Sequence, residues 1–164
     1  MVQFKLAKTN LDFKTISVLA KNIWTEHYTP IIGLDQVNYM LEKFQSEIAI
    51  QNQINIDSFK YYLIINENTV IGYLSIKNND DALFLSKIYI DKSCRGKIFR
   101  KSAINYIEKK AKDLNCQKIY LTVNKYNINS IMAYQKMGFI KTEELVIDIG
   151  NGYTMDDFRM EKLI

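Results

Sequence analysis

The spacing of apolar residues changes character several times along this chain, and each change marks an element. Val2 to Ala7 alternates as a strand does. Asn10 or Asp12 can cap a helix in which Leu11, Val18, Leu19 and Ile23 recur at near-helical spacing, and Pro30 is expected to end that region. Leu34, Val37, Met40, Leu41 and Phe44 share one face of a second helix, and Ser46 can cap a shorter piece around Ile48 to Ile54. Three strands follow, Tyr61–Ile65, Val70–Ile76 and Ala82–Ile90, separated by the turns Asn66-Glu67-Asn68 and Asn78-Asn79-Asp80-Asp81. A helix from about Ile98 to Leu114 carries Ala103, Ile107, Ala111 and Leu114 on its core face. Then come a strand at Lys118–Val123, a short helix at Asn129–Lys136, and a hairpin of Phe139–Ile147 with Tyr153–Lys162 around Gly150-Asn151-Gly152. Strand, helix and strand in the middle imply a right-handed parallel crossover within a mixed α/β sheet. A single proline and no Gly- or Ser-rich stretch give no visible linker, so residues 1–164 read as one domain.

Composition narrows the function classes. The chain is 48% hydrophobic and 24% charged, unlike a disordered segment. Its apolar runs fall short of the ~20 residues of a membrane helix. Met1 to Lys5 lacks a signal-peptide layout, so a cytoplasmic protein with no membrane partner is expected. Cys94, Cys116 and the single histidine, His27, cannot make a four-ligand zinc site; no metal is expected, and both thiols should be free. A net charge of +4 suits an anionic cofactor but lacks the clustered basic face of a nucleic-acid binder.

Two segments carry chemistry. The strand Leu85–Ile90 runs into Cys94-Arg95-Gly96-Lys97-Ile98-Phe99-Arg100-Lys101 and then a long helix. A helix start leaves about four N–H groups without intrahelical partners, and with the helix dipole these suit a phosphate. Arg95, Lys97, Arg100 and Lys101 add charge at the same point. The second segment is Asn127-Ile128-Asn129-Ser130-Ile131-Met132-Ala133-Tyr134-Gln135-Lys136-Met137-Gly138-Phe139.

Both segments resemble those of the GNAT acyltransferase superfamily. The first is similar to its acetyl-coenzyme A motif of Arg or Gln, two residues, Gly, one residue, Gly or Ala. Starting at Arg95, the small positions are held by Ile98 and Arg100, and the one glycine, Gly96, is not required by the pattern. The second is similar to the family's Asn-x-x-Ala-Ile-x-x-Tyr-x-Lys-x-Gly-Phe, matched at Asn127, Ile131, Tyr134, Lys136, Gly138 and Phe139, with Ser130 in place of Ala. The segments around Ile23–Gly33, Tyr39–Phe44 and Gly152–Met160 resemble the subgroup containing bacterial spermidine/spermine acetyltransferases.

The resemblance implies a mixed, mostly antiparallel sheet of about seven strands flanked by helices, and transfer of acetyl from acetyl-coenzyme A to a primary amine, polyamine-like in the subgroup. It implies that Ile88, Tyr89, Ile90, Arg95, Gly96, Lys97, Ile98, Phe99, Arg100, Lys101, Asn127, Ser130, Tyr134 and Lys136 bind the cofactor. A backbone N–H of Tyr89 or Ile90 would stabilise the oxyanion, where the strand splays from Lys118–Val123. Tyr134 would protonate the departing thiolate. Glu26 or His27 is the candidate base; a helix-end residue is the plainer reading of His27. Trp24, Tyr28 and Tyr39 could line an amine pocket through cation–π contacts or simply pack. Asp156 and Asp157 either attract the amine or solvate a hairpin. A protein N-terminus or lysine as acceptor, a domain that binds coenzyme A without turnover, and a homodimer all stay open.

Overall fold

The computed structural model describes residues 1–164, the side chain of Lys97 excepted. The elements are β1 (Val2–Leu6), α1 (Asn10–Ile32), α2 (Leu34–Gln45), α3 (Glu47–Asn55), β2 (Lys60–Asn66), β3 (Thr69–Asn79), β4 (Ala82–Ile90), a 3-10 turn (Lys92–Cys94), α4 (Lys97–Asp113), β5 (Lys118–Asn124), α5 (Ile128–Lys136), β6 (Ile140–Gly150) and β7 (Tyr153–Leu163). The strands form one sheet in the order β1-β2-β3-β4-β5-β7-β6. β4 and β5 run parallel, while β1–β2, β2–β3, β5–β7 and β6–β7 are antiparallel. This is the mixed, mostly antiparallel sheet with flanking helices that the sequence led us to expect.

Tertiary contacts divide the chain into two compact units: residues 1–77 with 86–106, and residues 78–85 with 107–164. In the first unit, Phe13, Ile16, Ala20, Ile23 and Trp24 of α1 cluster with Val37, Ile50, Tyr61, Leu63 and Tyr73. The tyrosine hydroxyls in this core are satisfied by glutamines. Tyr73 donates to Gln45 Oε1 at 2.6 Å, Tyr61 donates to Gln53 Oε1 at 2.6 Å, and Gln45 Nε2 donates to the Tyr61 hydroxyl at 3.1 Å. Burying such groups unpaired would cost a few kcal/mol each, so the glutamines are what make a tyrosine core tenable. Phe4 and Tyr62 meet Tyr106 of α4, with ring centroids 4.2 and 5.5 Å away.

In the second unit β5 alternates strictly, burying Ile119, Leu121 and Val123. Met160 and Phe139 are buried in the same unit, as are Ile107 and Ala111 of α4. The 150–153 turn is tight because Asn151 and Gly152 both take positive φ, 54° and 78°, the backbone that a two-residue hairpin needs.

Four expectations are corrected. Thr9, not Asn10 or Asp12, caps α1: its side chain accepts from Asp12 N–H, and Asp12 returns the bond as a capping box. The buried face of α1 is Phe13, Ile16, Ala20, Ile23 and Trp24, whereas Leu11 is 73% exposed and Val18 also faces water. A 3.6-residue period allows two apolar stripes, and packing chose the aromatic one. Pro30 does not end the helix. It sits in the last turn, where a missing N–H removes a single bond, and α1 continues to Ile32 and stops at Gly33, φ 85°. Leu114 lies beyond the end of α4 and is exposed.

Candidate functional site

In the first unit the site begins at the end of β4. The ladder from β4 to β5 comprises Ala82–Lys118, Leu83–Ile119 and Phe84–Tyr120 and then stops. Asp91 N–H donates to Ile71 O at 2.8 Å, toward β3. Amides alternate in direction along an extended strand, so the N–H of Ile90, rather than that of Tyr89, points away from β3. Gly72 makes this end of β4 possible. A Cβ there would lie 2.2 Å from the Tyr89 carbonyl oxygen.

The turn after β4 is held by its own side chains. Asp91 accepts from Ser93 N–H at 2.9 Å and from the Ser93 hydroxyl. These bonds hold its carboxyl below the usual carboxylate range. Arg95 Nε donates to Ile90 O at 3.2 Å, tying the guanidinium to the strand end. Gly96 has a negative φ and open space around its Cβ position, so nothing local requires glycine there. Ile98 is 75% exposed at the first turn of α4, Phe99 and Arg100 are half-buried, and Lys101 is exposed. The Lys97 side chain lies outside the described residues.

An aromatic cluster stands beside the same strand end. Trp24 lies 5.9 Å from Tyr28 and 5.5 Å from Tyr89, and Tyr73 lies 5.6 Å from Tyr89, centroid to centroid. The hydroxyls of Tyr28 and Tyr89 share a hydrogen bond at 3.0 Å. His27 meets the Tyr28 ring edge-on at 4.8 Å. Glu26 is ion-paired with Lys92 at 2.9 Å, its side chain 45% exposed. Tyr39 instead lies under the Lys43 ammonium of α2.

Sequence reasoning missed Lys87, two residues before Tyr89 on the same face of β4. Its ammonium stands 5.7 Å from the Phe59 ring and 5.8 Å from the Tyr61 ring, and donates to Ser86 Oγ at 2.9 Å. Burial pulls it down to about 8. Its signal was a charged residue inside an apolar strand, at the parity of Tyr89.

In the second unit the site is the helix α5 and its two ends. Asn127 N–H donates to Asn124 O at 3.0 Å, and Asn127 sits at the helix start, buried, without using its side chain as a cap. Ser130 is half-buried and Lys136 exposed. Tyr134 is buried, its ring 5.7 Å from Phe139. The helix ends in a Schellman arrangement: Phe139 N–H bonds Tyr134 O at 3.0 Å and Gly138 N–H bonds Gln135 O at 3.1 Å. Gly138 takes φ 93°, so this motif glycine has a backbone reason.

The two aspartates of β7 behave differently. Asp156 pairs with Lys125 at 2.8 Å, and Lys125 also reaches Glu144 at 3.1 Å. Asp157 lies opposite Asn124 on β5 and is 7% exposed. Burial, with the Asp156 charge adding to it, pushes its carboxyl up to about 6, against the pull of the Thr122 hydroxyl and Lys125.

Taken one unit at a time, the structure brings Trp24, His27, Tyr28 and Tyr89 together, and separately Asn127, Tyr134 and the end of β5. The model of the acetyltransferase (GNAT) family matches residues 22–139. The PaiA N-acetyltransferase of Thermoplasma acidophilum, crystallised with coenzyme A, is similar at a TM-score of 0.81 and 20% identity, over 100% of this chain and 99% of that one. A chimera of the Vibrio cholerae spermidine N-acetyltransferase SpeG with hSSAT gives a TM-score of 0.69 and 21% identity, over 99% of this chain and 94% of that one. A probable acetyltransferase from Staphylococcus epidermidis gives 0.70 and 17%, over 99% of each chain. At such identities these likenesses speak for the fold, while the family match spans well over half of the residues and includes the α5 segment up to Phe139: the chain belongs to the acetyltransferase (GNAT) family.

Proposed function

We propose that the protein is an acetyl-coenzyme A-dependent N-acetyltransferase, with residues 1–164 forming one catalytic domain and a small polyamine-like primary amine as acceptor. The observation that carries this reading is the α5 segment, where a buried tyrosine is held between a non-capping Asn127 and a glycine that its backbone requires. The relatives crystallised with coenzyme A or named for spermidine lend support to the cofactor and the acceptor class.

In this reading the pyrophosphate sits on the free amides at the start of α4, with Arg95, Arg100 and Lys101 around it. The Ile90 N–H donates to the thioester oxygen as charge develops there. Asn127, with Ser130 and Lys136 on the same helix, holds the pantetheine arm. The acceptor nitrogen attacks the carbonyl carbon, the C–S bond breaks, and Tyr134 gives its phenolic proton to the thiolate. Trp24, Tyr28 and Tyr89 offer ring faces to a cationic amine, a contact worth roughly 0.5–2 kcal/mol.

The test is an amine panel with thiol release as readout, run with spermidine, shorter diamines, monoamines and a lysine-bearing peptide. Turnover of spermidine but not the peptide is expected. Turnover of the peptide alone would move the acceptor to proteins. Binding of acetyl-coenzyme A with no turnover would replace the enzyme by a binding domain, the reading favoured by Ile98 and Arg100 in place of the small residues.

A further inference from the structure

The reading above leaves the proton of the acceptor ammonium without a destination. Glu26 is exposed and already paired with Lys92, and His27 is half-buried, edge-on to the Tyr28 ring. Neither is a carboxylate or imidazole withdrawn from water.

We propose that Asp157, on β7 opposite Asn124 at the end of β5, is the general base that takes this proton. The inference rests on the acetyltransferase reading and deepens it. Successive residues of a strand point to opposite faces, so Asp156 and Asp157 do not form one acidic cluster. Asp156 is held by Lys125. Lys125 is itself shared between Asp156 and Glu144 of β6, which leaves Asp157 without an ion pair of its own. On the face of Asp157, Arg159 is drawn to Glu161 at 2.8 Å and lies over the Tyr120 ring, while Leu145 is its neighbour in register on β6. Asp157 is thus a carboxylate shielded from water, next to the negative Asp156, with the Thr122 hydroxyl and the Lys125 charge pulling against burial. Two adjacent carboxylates in such different surroundings divide the labour: one is structural, the other poised to bind and release a proton.

Its position fits the chemistry. Asp157 pairs in register with Asn124, the residue whose carbonyl receives the Asn127 N–H at the start of α5. The base therefore stands on β7 beside the end of β5, the strand that launches the helix of Tyr134. The step balances. The ammonium gives one proton to the Asp157 carboxylate, and the neutral amine forms the C–N bond as the C–S bond breaks. Tyr134 protonates the thiolate and is restored by the second nitrogen proton. Asp157 then returns its proton to water, for a net yield of amide, thiol and one proton.

The test uses the full chain in single turnovers with acetyl-coenzyme A and two acceptors. One is spermidine, and the other is trifluoroethylamine, a weakly basic amine already largely neutral at the assay pH. Asp157→Asn should lower the spermidine rate by ~10²–10⁴-fold and abolish the acid limb of the pH profile near pH 6. The loss with the weakly basic amine should be under about tenfold, because no proton need be removed first. Asp157→Glu should restore part of the rate with a displaced acid limb, and it carries the same test if Asp157→Asn does not fold. Equal losses for both acceptors would make Asp157 a structural residue and overturn the proposal. So would a wild-type rate with an unchanged acid limb in Asp157→Asn. A wild-type chain that acetylates no amine on the panel would remove the acetyltransferase reading and this inference together, an outcome separable from the others because it appears before any substitution is made.

Discussion

The two motif segments of this chain differ in how far their backbone demands their residues. At the end of α5, Gly138 holds φ 93° and closes a Schellman arrangement that positions Phe139 against Tyr134. At the start of α4, Gly96 holds no special φ and meets nothing at its Cβ position, while Ile98 stands 75% exposed where the family has a small residue. A glycine that the backbone requires is evidence of geometry. One that the backbone does not require is only composition. In the proposed reading the α5 segment therefore carries the geometric argument, and the α4 turn is assigned a cofactor phosphate mainly through free amides and charge.

The strongest way to break this comparison is Tyr134→Phe. It keeps the ring against Phe139 and removes only the proton donor. Single-turnover acetylation should fall ~10²–10⁴-fold, with thermal stability and acetyl-coenzyme A affinity little changed. A wild-type single-turnover rate would leave the α5 segment as packing and remove its claim to the chemistry.

Next in size is a pH effect on stability at Asp157 of β7, opposite Asn124. The folded-state value of Asp157 is raised from 3.8 to about 6, so the folded protein holds its proton more tightly than the unfolded chain. Between roughly pH 4 and 6 the native state therefore loses relative stability as pH rises, and above that window the buried carboxylate carries its full penalty. Asp157→Asn should stabilise the protein by about 1–3 kcal/mol at pH 8, a gain that disappears near pH 3.5. Denaturant melts at the two pH values check this. A gain equal at both would show that the residue is not burdened by its charge.

A pair of glycine substitutions sharpens the comparison directly. Gly138→Ala should cost about 1–2 kcal/mol, since an L side chain in that region is strained and its Cβ would press on Lys162 Cε at 3.3 Å. Gly96→Ala should stay within about 0.5 kcal/mol. Equal costs would erase the contrast between the two ends.

The smallest expected effect lies at the α4 turn. Ile98→Gly should tighten acetyl-coenzyme A binding by clearing the approach to the amides, at a stability cost of at most ~1 kcal/mol. Titration calorimetry at two salt concentrations reads the affinity, and weaker binding in a folded variant would show that Ile98 contributes a contact.

Much of the frame was legible in the chain. Ala103, Ile107 and Ala111 announced the buried face of α4, and Asn151-Gly152 announced the β6–β7 turn, because period and positive-φ residues are local signals. The motif tyrosine was legible for the same reason: its spacing to Asn127 and Gly138 is fixed by one helix. The buried face of α1 was not, since Leu11 and Val18 are as apolar as the residues that face the core and only the partner surface distinguishes them. Nor was the continuation of α1 through Pro30, whose cost is a single bond in the last turn.

What the sequence determined by itself was therefore the order of elements and the family, each carried by residues close together along the chain. Tertiary structure alone decided which charges are covered. The alternation of Phe158 and Met160 would send Asp156 inward, yet Asp157 is the one withdrawn from water, and Lys87 lies by the rings of Phe59, just before β2, and Tyr61 within it. A pKa is set by the dielectric and the charges around a group, and those arrive from strands far apart in sequence.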